Sequence, residues 1–276
     1  MLALPALPVV RPATGSARGP TPGARADGRP LHQLRALKVR TGVVASASGS
    51  AMLELAHTKV MCSVFGPHAA EGRDYQGQGQ LDCSLRFATF ARRTRAPKAG
   101  PAGTAEERAL SLDLAAALSA SVQLQLLPKS TVAVHVLVLQ DDGGALPAAV
   151  SCASLALADA SIALFGLVAA CDCAPTADGG VALDCSAAEL ASAGGCTVVA
   201  SMPSLDQLTL LRHEGAVPFE QLSEALQLAL SGCARLHEEM ANALRSKAAD
   251  AVETGDEDDV VQASRKRARA AGAAPA

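Results

Sequence analysis

The sequence predicts an α/β (α+β) protein made of two similar strand-and-helix halves, and three observations carry that prediction. Short apolar runs separated by Gly, Ser and Thr fill 38–67 and read as an antiparallel meander. A strand-like run is then twice followed by an Ala/Leu-rich helical run, first 81–87 before 104–122 and again 131–139 before 147–163. Finally Phe219, Leu222, Leu226, Ala229, Cys233, Leu236, Met240 and Leu244 recur mainly at intervals of three or four, the apolar stripe of a long helix lying on a sheet. With 276 residues, 49% of them hydrophobic, the chain can bury a sizeable core without covalent staples.

Taken in order, residues 1–24 are rich in Ala, Pro, Gly and Arg and contain no acid, so they cannot build a core and read as a disordered tail. That acid-poor composition is shared with transit peptides, but the segment is proline-rich and lacks an amphipathic helix. The folded body is expected over 25–247. Its meander strands are placed at 41–47, 51–55 and 59–65, followed by a loop over 66–80 and a strand over 81–87. Thr104-Ala105-Glu106-Glu107 has the pattern of a helix start closed by a capping box. The second half carries a strand at 131–139, a helix near 147–163, and strands at 167–173, 181–184, 197–202 and 207–212 before the long helix. Residues 248–276 read as a second disordered tail, acidic over 253–259 and then basic at Arg265-Lys266-Arg267-Ala268-Arg269.

Composition excludes several classes of function. The net charge of −3 leaves only local patches able to attract nucleic acid, chiefly the basic stretch 86–108. The eight cysteines lie mostly inside apolar runs with no Cys-x-x-Cys pair, so they read as reduced core thiols of a reducing compartment. Cys171-Asp172-Cys173 resembles half a metal site but has no second half at usable spacing, and no cofactor or metal is predicted. With no Trp, one Tyr and five Phe, the composition argues against nucleic-acid binding by stacking on several rings. The apolar stretch 145–170 is interrupted by Asp159 and Gly166, which argues against a membrane span.

The most informative local feature is Gln140-Asp141-Asp142-Gly143-Gly144-Ala145-Leu146, a strand, a tight Gly-Gly turn and a helix start. Unpaired backbone N–H groups and the helix dipole make that geometry a ready anion site. A cation or hydroxyl normally completes it, whereas Ala145 and Leu146 offer neither. Asp141, Asp142 and Asp184 are read as turn and strand-end residues rather than catalytic ones. Asp159, inside an otherwise apolar helix, is expected to have a polar partner. His57, His68, His135 and His213 share no spacing that suggests a dyad or a metal site.

Three segments resemble the RNase PH family of phosphate-dependent exoribonucleases and its exosome relatives. They are Arg25-Ala26-Asp27-Gly28-Arg29-Pro30 with Leu34-Arg35, then Gly49 to Glu54 with Thr58 to Pro67, and Leu155-Ala156-Leu157-Ala158-Asp159-Ala160. They occur in the family's order and at about its spacing, and the resemblance extends over about 25–247. Within the family the chain is most like the mRNA-transport-regulator type. The resemblance implies an RNase PH-like fold with mixed sheets and packed helices.

The same resemblance implies where catalysis should sit. Active members carry Gly-Ser-Arg or Gly-Thr-Arg in the phosphate loop, where the Arg holds inorganic phosphate in bidentate fashion. Here the loop reads Gly143, Gly144, Ala145, Leu146, a degenerate form. Active members also place two acids after the strand at 181–184. An ungapped match puts Leu190 and Cys196 there, and neither suits a hard Mg²⁺ ion. No catalytic residue is therefore assigned. Arg92, Arg93, Arg95, Lys98 and Arg108 are the implied RNA-backbone contacts. Where relatives show paired arginines at the helix start this chain has Glu107-Arg108.

The expectation is a non-catalytic subunit of the RNA exosome ring. Its implied partners are other RNase PH-like ring subunits, RNA-binding cap proteins, RNA and an associated exoribonuclease, with no membrane. Nucleus and nucleolus, and also cytoplasm, are the expected locations, with 265–269 a candidate import signal. The alternative is an active phosphorolytic 3′-to-5′ exoribonuclease using Glu189 and a shifted arginine, and an imported organellar RNA-processing factor is a third reading.

Overall fold

The computed structural model describes residues 25, 27–69, 78–95, 100, 103–176 and 179–253. Most of the tails predicted at 1–24 and 248–276, residues 70–77 of the predicted loop, and Lys98 lie outside the described residues.

The meander forms as β1 (Leu37–Thr41), β2 (Gly49–Leu55) and β3 (Thr58–Ala69), each antiparallel to the next. β4 (Gln80–Phe87) is followed by α1 (Ala105–Ser119) and β5 (Ser130–Gln140). β5 pairs antiparallel with β3 and parallel with β4, giving the order β1-β2-β3-β5-β4. Parallel neighbours need a crossover, and α1 supplies it.

Two details depart from the sequence reading. The first strand was expected at 41–47 but occupies 37–41, because Leu37 and Val39 find Leu55 and Leu53 across the ladder and Gly42 then turns the chain at φ 72°. β3 also runs beyond the expected end at Phe65, through Gly66 and Pro67 to Ala69, by shifting its register against β5 between Phe65 and His68.

α2 (Ala145–Asp159) lies between this sheet and a second one, against β2 and β3 on one side and β6 (Ala169–Pro175) and β8 (Gly195–Met202) on the other. Every residue from Leu146 to Leu157 is buried, which is why the segment is apolar all round rather than on one stripe. Pro147 is accommodated in the first turn, where its missing N–H has no intrahelical partner to lose. The helix ends before the expected Ala163 because Ser161 adopts a left-handed conformation at φ 58°.

The second sheet has the order β7-β6-β8-β9, with β7 (Val181–Leu183) and β9 (Gln207–Gly215) at its edges and all pairs antiparallel. A short helix not expected from sequence, α3 (Ala187–Ser192), follows β7. α4 (Phe219–Glu253) packs on β6, β7 and β8 through Ala225, Ala229, Cys233, Leu236 and Met240. The first member of its predicted stripe, Phe219, is 80% exposed and lies off the packed face. The helix continues past Lys247, where the sequence placed the end of the body.

Asp159 has the polar partners expected of it: Lys247 Nζ donates to one carboxylate oxygen (2.5 Å) and the Ser50 amide to the other (3.0 Å). All eight thiols are free, with Cys83 and Cys196 half-buried and the rest buried. No helix among the described residues is long and apolar enough to cross a membrane.

Candidate functional site

The Gly-Gly turn between β5 and α2 is held from two sides. The Asp141 carboxylate accepts from the Gly143 amide (3.2 Å), as expected of a turn residue. The Thr58 hydroxyl, at the start of β3, donates to the Gly143 carbonyl (2.8 Å) and accepts from the Asp142 amide (3.2 Å). From the other side the Ala187 amide, at the start of α3, donates to the Asp142 carbonyl (2.9 Å). Gly143 (φ 89°) and Gly144 (φ 68°) are both left-handed, and a Cβ on Gly143 would come within 2.6 Å of the Cys185 carbonyl, so the turn requires glycine there on two counts. Gly144 caps α2 without a side-chain bond, leaving the helix N-terminus with the geometry of an anion site. Leu146, at the position for which the sequence resemblance implies a phosphate-gripping arginine, is buried in the core.

The nearest cation, Arg35, has no donor left for a ligand. Its Nε and Nη2 donate to Asp184 (2.9 and 2.6 Å), Nη1 to Thr58 Oγ1 (3.2 Å) and the Asp142 carbonyl (3.1 Å), and Nη2 to the Gly143 carbonyl (3.1 Å). Those five bonds match the five N–H groups of a guanidinium. The Arg35 amide adds a bond to the second Asp184 oxygen (2.7 Å). Asp184 is thus a buried structural counter-ion at a strand end. Asp172 lies on β6 beside this pair, buried, with its Oδ2 lacking a hydrogen-bond partner among the described residues. Burial and the Asp184 charge push its carboxyl up, outweighing the opposing effect of Arg35.

The two positions expected to bear acids hold no oxygen ligand. Leu190 packs on a small cluster of Ala174, Ala182 and Cys185. Cys196, at the start of β8, has its thiol pushed up to about 12, chiefly by burial. The neighbouring Glu189 is engaged elsewhere. α3 opens with a capping box in which Ser186 and Glu189 satisfy each other's backbone amides. Arg25 then grips both Glu189 oxygens, Nε to Oε1 at 2.7 Å and Nη2 to Oε2 at 2.6 Å. That bond holds the Glu189 carboxyl down at about 2, so it stays ionised and paired with Arg25 near neutrality. Arg25 also donates to the Leu183 and Asp184 carbonyls (2.6 and 2.8 Å), tying the N-terminal segment across this region. The roles of Arg25 and Arg35 were not assigned from sequence, although both sit in the opening motif. The Ser186-x-x-Glu189 pattern was a readable signal for α3.

The predicted RNA contacts divide into two groups. Arg92 is tied down: it donates to Asp141 (3.0 Å) and in bidentate fashion to Glu106, and its guanidinium lies 4.3 Å from the centre of the Phe87 ring. Arg93, Arg95 and Arg108 are exposed. Glu107 turns inward and is buried. Burial opposes its charge, but the Phe87 and Thr104 amides donate to its carboxylate at 2.9 and 2.8 Å and hold its carboxyl below the ordinary range. Beside the Gly-Gly turn, between His57 and Lys59 on one side and 90–93 on the other, lies a cleft of about 550 Å³ that also reaches Gln140 and Asp142.

Residues 33–163 match the 3′ exoribonuclease family, domain 1, the RNase PH domain. The human exosome complex component MTR3 is 39% identical over 233 residues, spanning 78% of this chain and 83% of that one. The chain belongs to the RNase PH family. Its RNase PH fold is seen in solved structures of lower identity. Rice (Oryza sativa) Rrp46 superposes with a TM-score of 0.70 at 24% identity, covering 80% of this chain and all of that one. A chain of the Archaeoglobus fulgidus exosome with RNA bound to the active site gives a TM-score of 0.69 at 20% identity, covering 78% and 92%. The turn at Gly143–Leu146 therefore lies within a true RNase PH domain.

Proposed function

We propose that this RNase PH protein is a non-catalytic subunit of an RNA exosome ring, supporting 3′-to-5′ RNA processing by forming part of the ring wall and touching the RNA backbone. The relative named above is an exosome component, which supports the assembly part of the reading. The observation that carries the non-catalytic part is the state of three groups at the site: Leu146 is in the core, Arg35 has spent its donors, and Glu189 is held by Arg25. Phosphorolysis needs a cation to hold phosphate and a charge-stabilising metal or acid, because phosphoryl transfer depends chiefly on electrostatic stabilisation.

Exposed apolar side chains at Leu112 on α1 and at Leu208 and Leu211 on the edge strand β9 support contacts with ring neighbours. RNA-binding cap proteins and an associated exoribonuclease complete the proposed assembly. The basic run 265–269 supports action in the nucleus and nucleolus as well as the cytoplasm.

The test is co-purification of the tagged chain from nuclear and cytoplasmic fractions at low salt, followed by a phosphorolysis assay on the isolated chain. Recovery of RNase PH-like partners, with no phosphate-dependent release of nucleoside diphosphates, is the expected result. Nucleoside diphosphate release by the chain alone would overturn the non-catalytic reading. Recovery of the chain alone, or only with copies of itself, would overturn the mixed-ring reading.

A further inference from the structure

The cleft beside the degenerate turn combines features with opposite demands on a partner. Phe90 is 69% exposed on its rim, a large apolar ring left in water. Next to it are two cations, Lys59 and Arg93, for which no ion pair with a described residue is found. Arg92 lines the cleft too, but Glu106 and Asp141 already neutralise it. A purely apolar partner would leave the cations unsatisfied, and a purely anionic one would leave the ring uncovered. A ligand with a flat π-face joined to phosphates meets both demands. Gln140 and Asp142 add acceptor oxygens to the wall, which suit the exocyclic amine of a base.

The platform is preformed. The Ala91 amide donates to the Ala88 carbonyl and the Asp141 amide to the Ala91 carbonyl, each at 2.9 Å, so the segment carrying Phe90 is fixed to the end of β5. Arg92 fixes the next position by reaching α1 and stacking on Phe87. Little ordering remains to be done when a ligand arrives.

We propose that this cleft docks one nucleotide of an RNA strand, with its base stacked on Phe90 and the adjoining phosphates on Lys59 and Arg93. The inference rests on the RNA-contact reading above and adds a base-dependent contact to a backbone interface. A single ring is enough, since every base has a π-face and stacking needs no sequence-specific hydrogen bonds.

The experiment is fluorescence anisotropy of the full chain with a labelled oligoadenylate, and with a strand of the same length whose internal nucleotides are abasic. Phe90→Ala is expected to weaken oligoadenylate binding about tenfold, within the range for one base on one ring, while changing abasic-strand binding less than about twofold. Phe90→Tyr should keep the wild-type affinity. Phe90 is so exposed that its loss leaves the fold intact. An equal effect of Phe90→Ala on both strands, or none on either, would overturn the dock. So would unchanged RNA binding accompanied by loss of a co-purifying protein, which would assign the ring to a protein contact. Arg95→Gln and Arg108→Gln test the wider reading separately. If they weaken binding while Phe90→Ala does not, the backbone interface stands and the dock falls; if none of the three matters, both fall.

Discussion

Arg35 shows what the ancestral site has become at the level of single atoms. Its guanidinium neutralises Asp184 and stands beside Asp172, and it also satisfies the carbonyls of the Gly-Gly turn. Replacing it with Met would leave the buried Asp184 carboxylate with only the more distant Arg29 (3.8 Å) as counter-ion and two carbonyls each short of a donor. Breaking one side of a buried pair costs about 3 to 5 kcal/mol, and Arg35→Met is expected to destabilise the protein by that order in urea denaturation. A loss below about 1 kcal/mol would mean that Arg29, 3.8 Å from the Asp184 carboxylate, compensates the charge on its own. The Gly-Gly turn was legible in the sequence because it is local: Gly143 to Leu146 are consecutive, and their side chains are read directly. The reassignment of Arg35 was not legible, since its partner Asp184 is 149 residues away and pairing at that distance leaves no periodic trace. The same holds for Arg25 and Glu189, 164 residues apart.

Among the elements, α3 is the one whose stability is tied most directly to a titrating group. Glu189 closes the capping box of α3 and is clasped by Arg25, and its carboxyl in the folded protein titrates near 2 rather than at its ordinary 4.5. A depressed carboxyl contributes stability that is fully present above its unfolded value and is lost as pH falls through the folded one. The wild type should therefore be more stable than Glu189→Gln at pH 6, with the difference shrinking as pH is lowered toward 3. A difference that does not vary with pH in paired denaturation curves would assign the contribution to packing instead. Elements with strong local patterns were readable: α1 from its Thr104–Glu107 capping box, β5 from its alternation, and α4 from its stripe. The first strand was misplaced because Val43 and Val44 look like strand residues, whereas Leu37 and Val39 win the register by finding Leu55 and Leu53. α3 is too short to show a period, and only its cap could have announced it.

For the molecule as a whole, a net charge of −3 means that any attraction for RNA is set by local arginines rather than by the global field. Arg93→Gln, Arg95→Gln and Arg108→Gln should each lower affinity for single strands of any sequence. Each should also reduce the slope of log affinity against log salt by about 0.7 for every RNA phosphate that is no longer neutralised. Arg92→Gln is expected to leave the slope unchanged, because its charge is already matched by Glu106 and Asp141. An unchanged slope for all four would remove these residues from the interface. The whole also depends on α2. Both sheets bury a face against this one helix, and a chain divided after Asp159 would leave the second sheet with α4 on one face but without the helix that joins it to the first sheet. Opening either sheet wets the helix that supports the other. Amide hydrogen exchange in the strands flanking α2 should therefore be governed by a single cooperative unit, and the halves that look like a duplication in the chain are expected to open together.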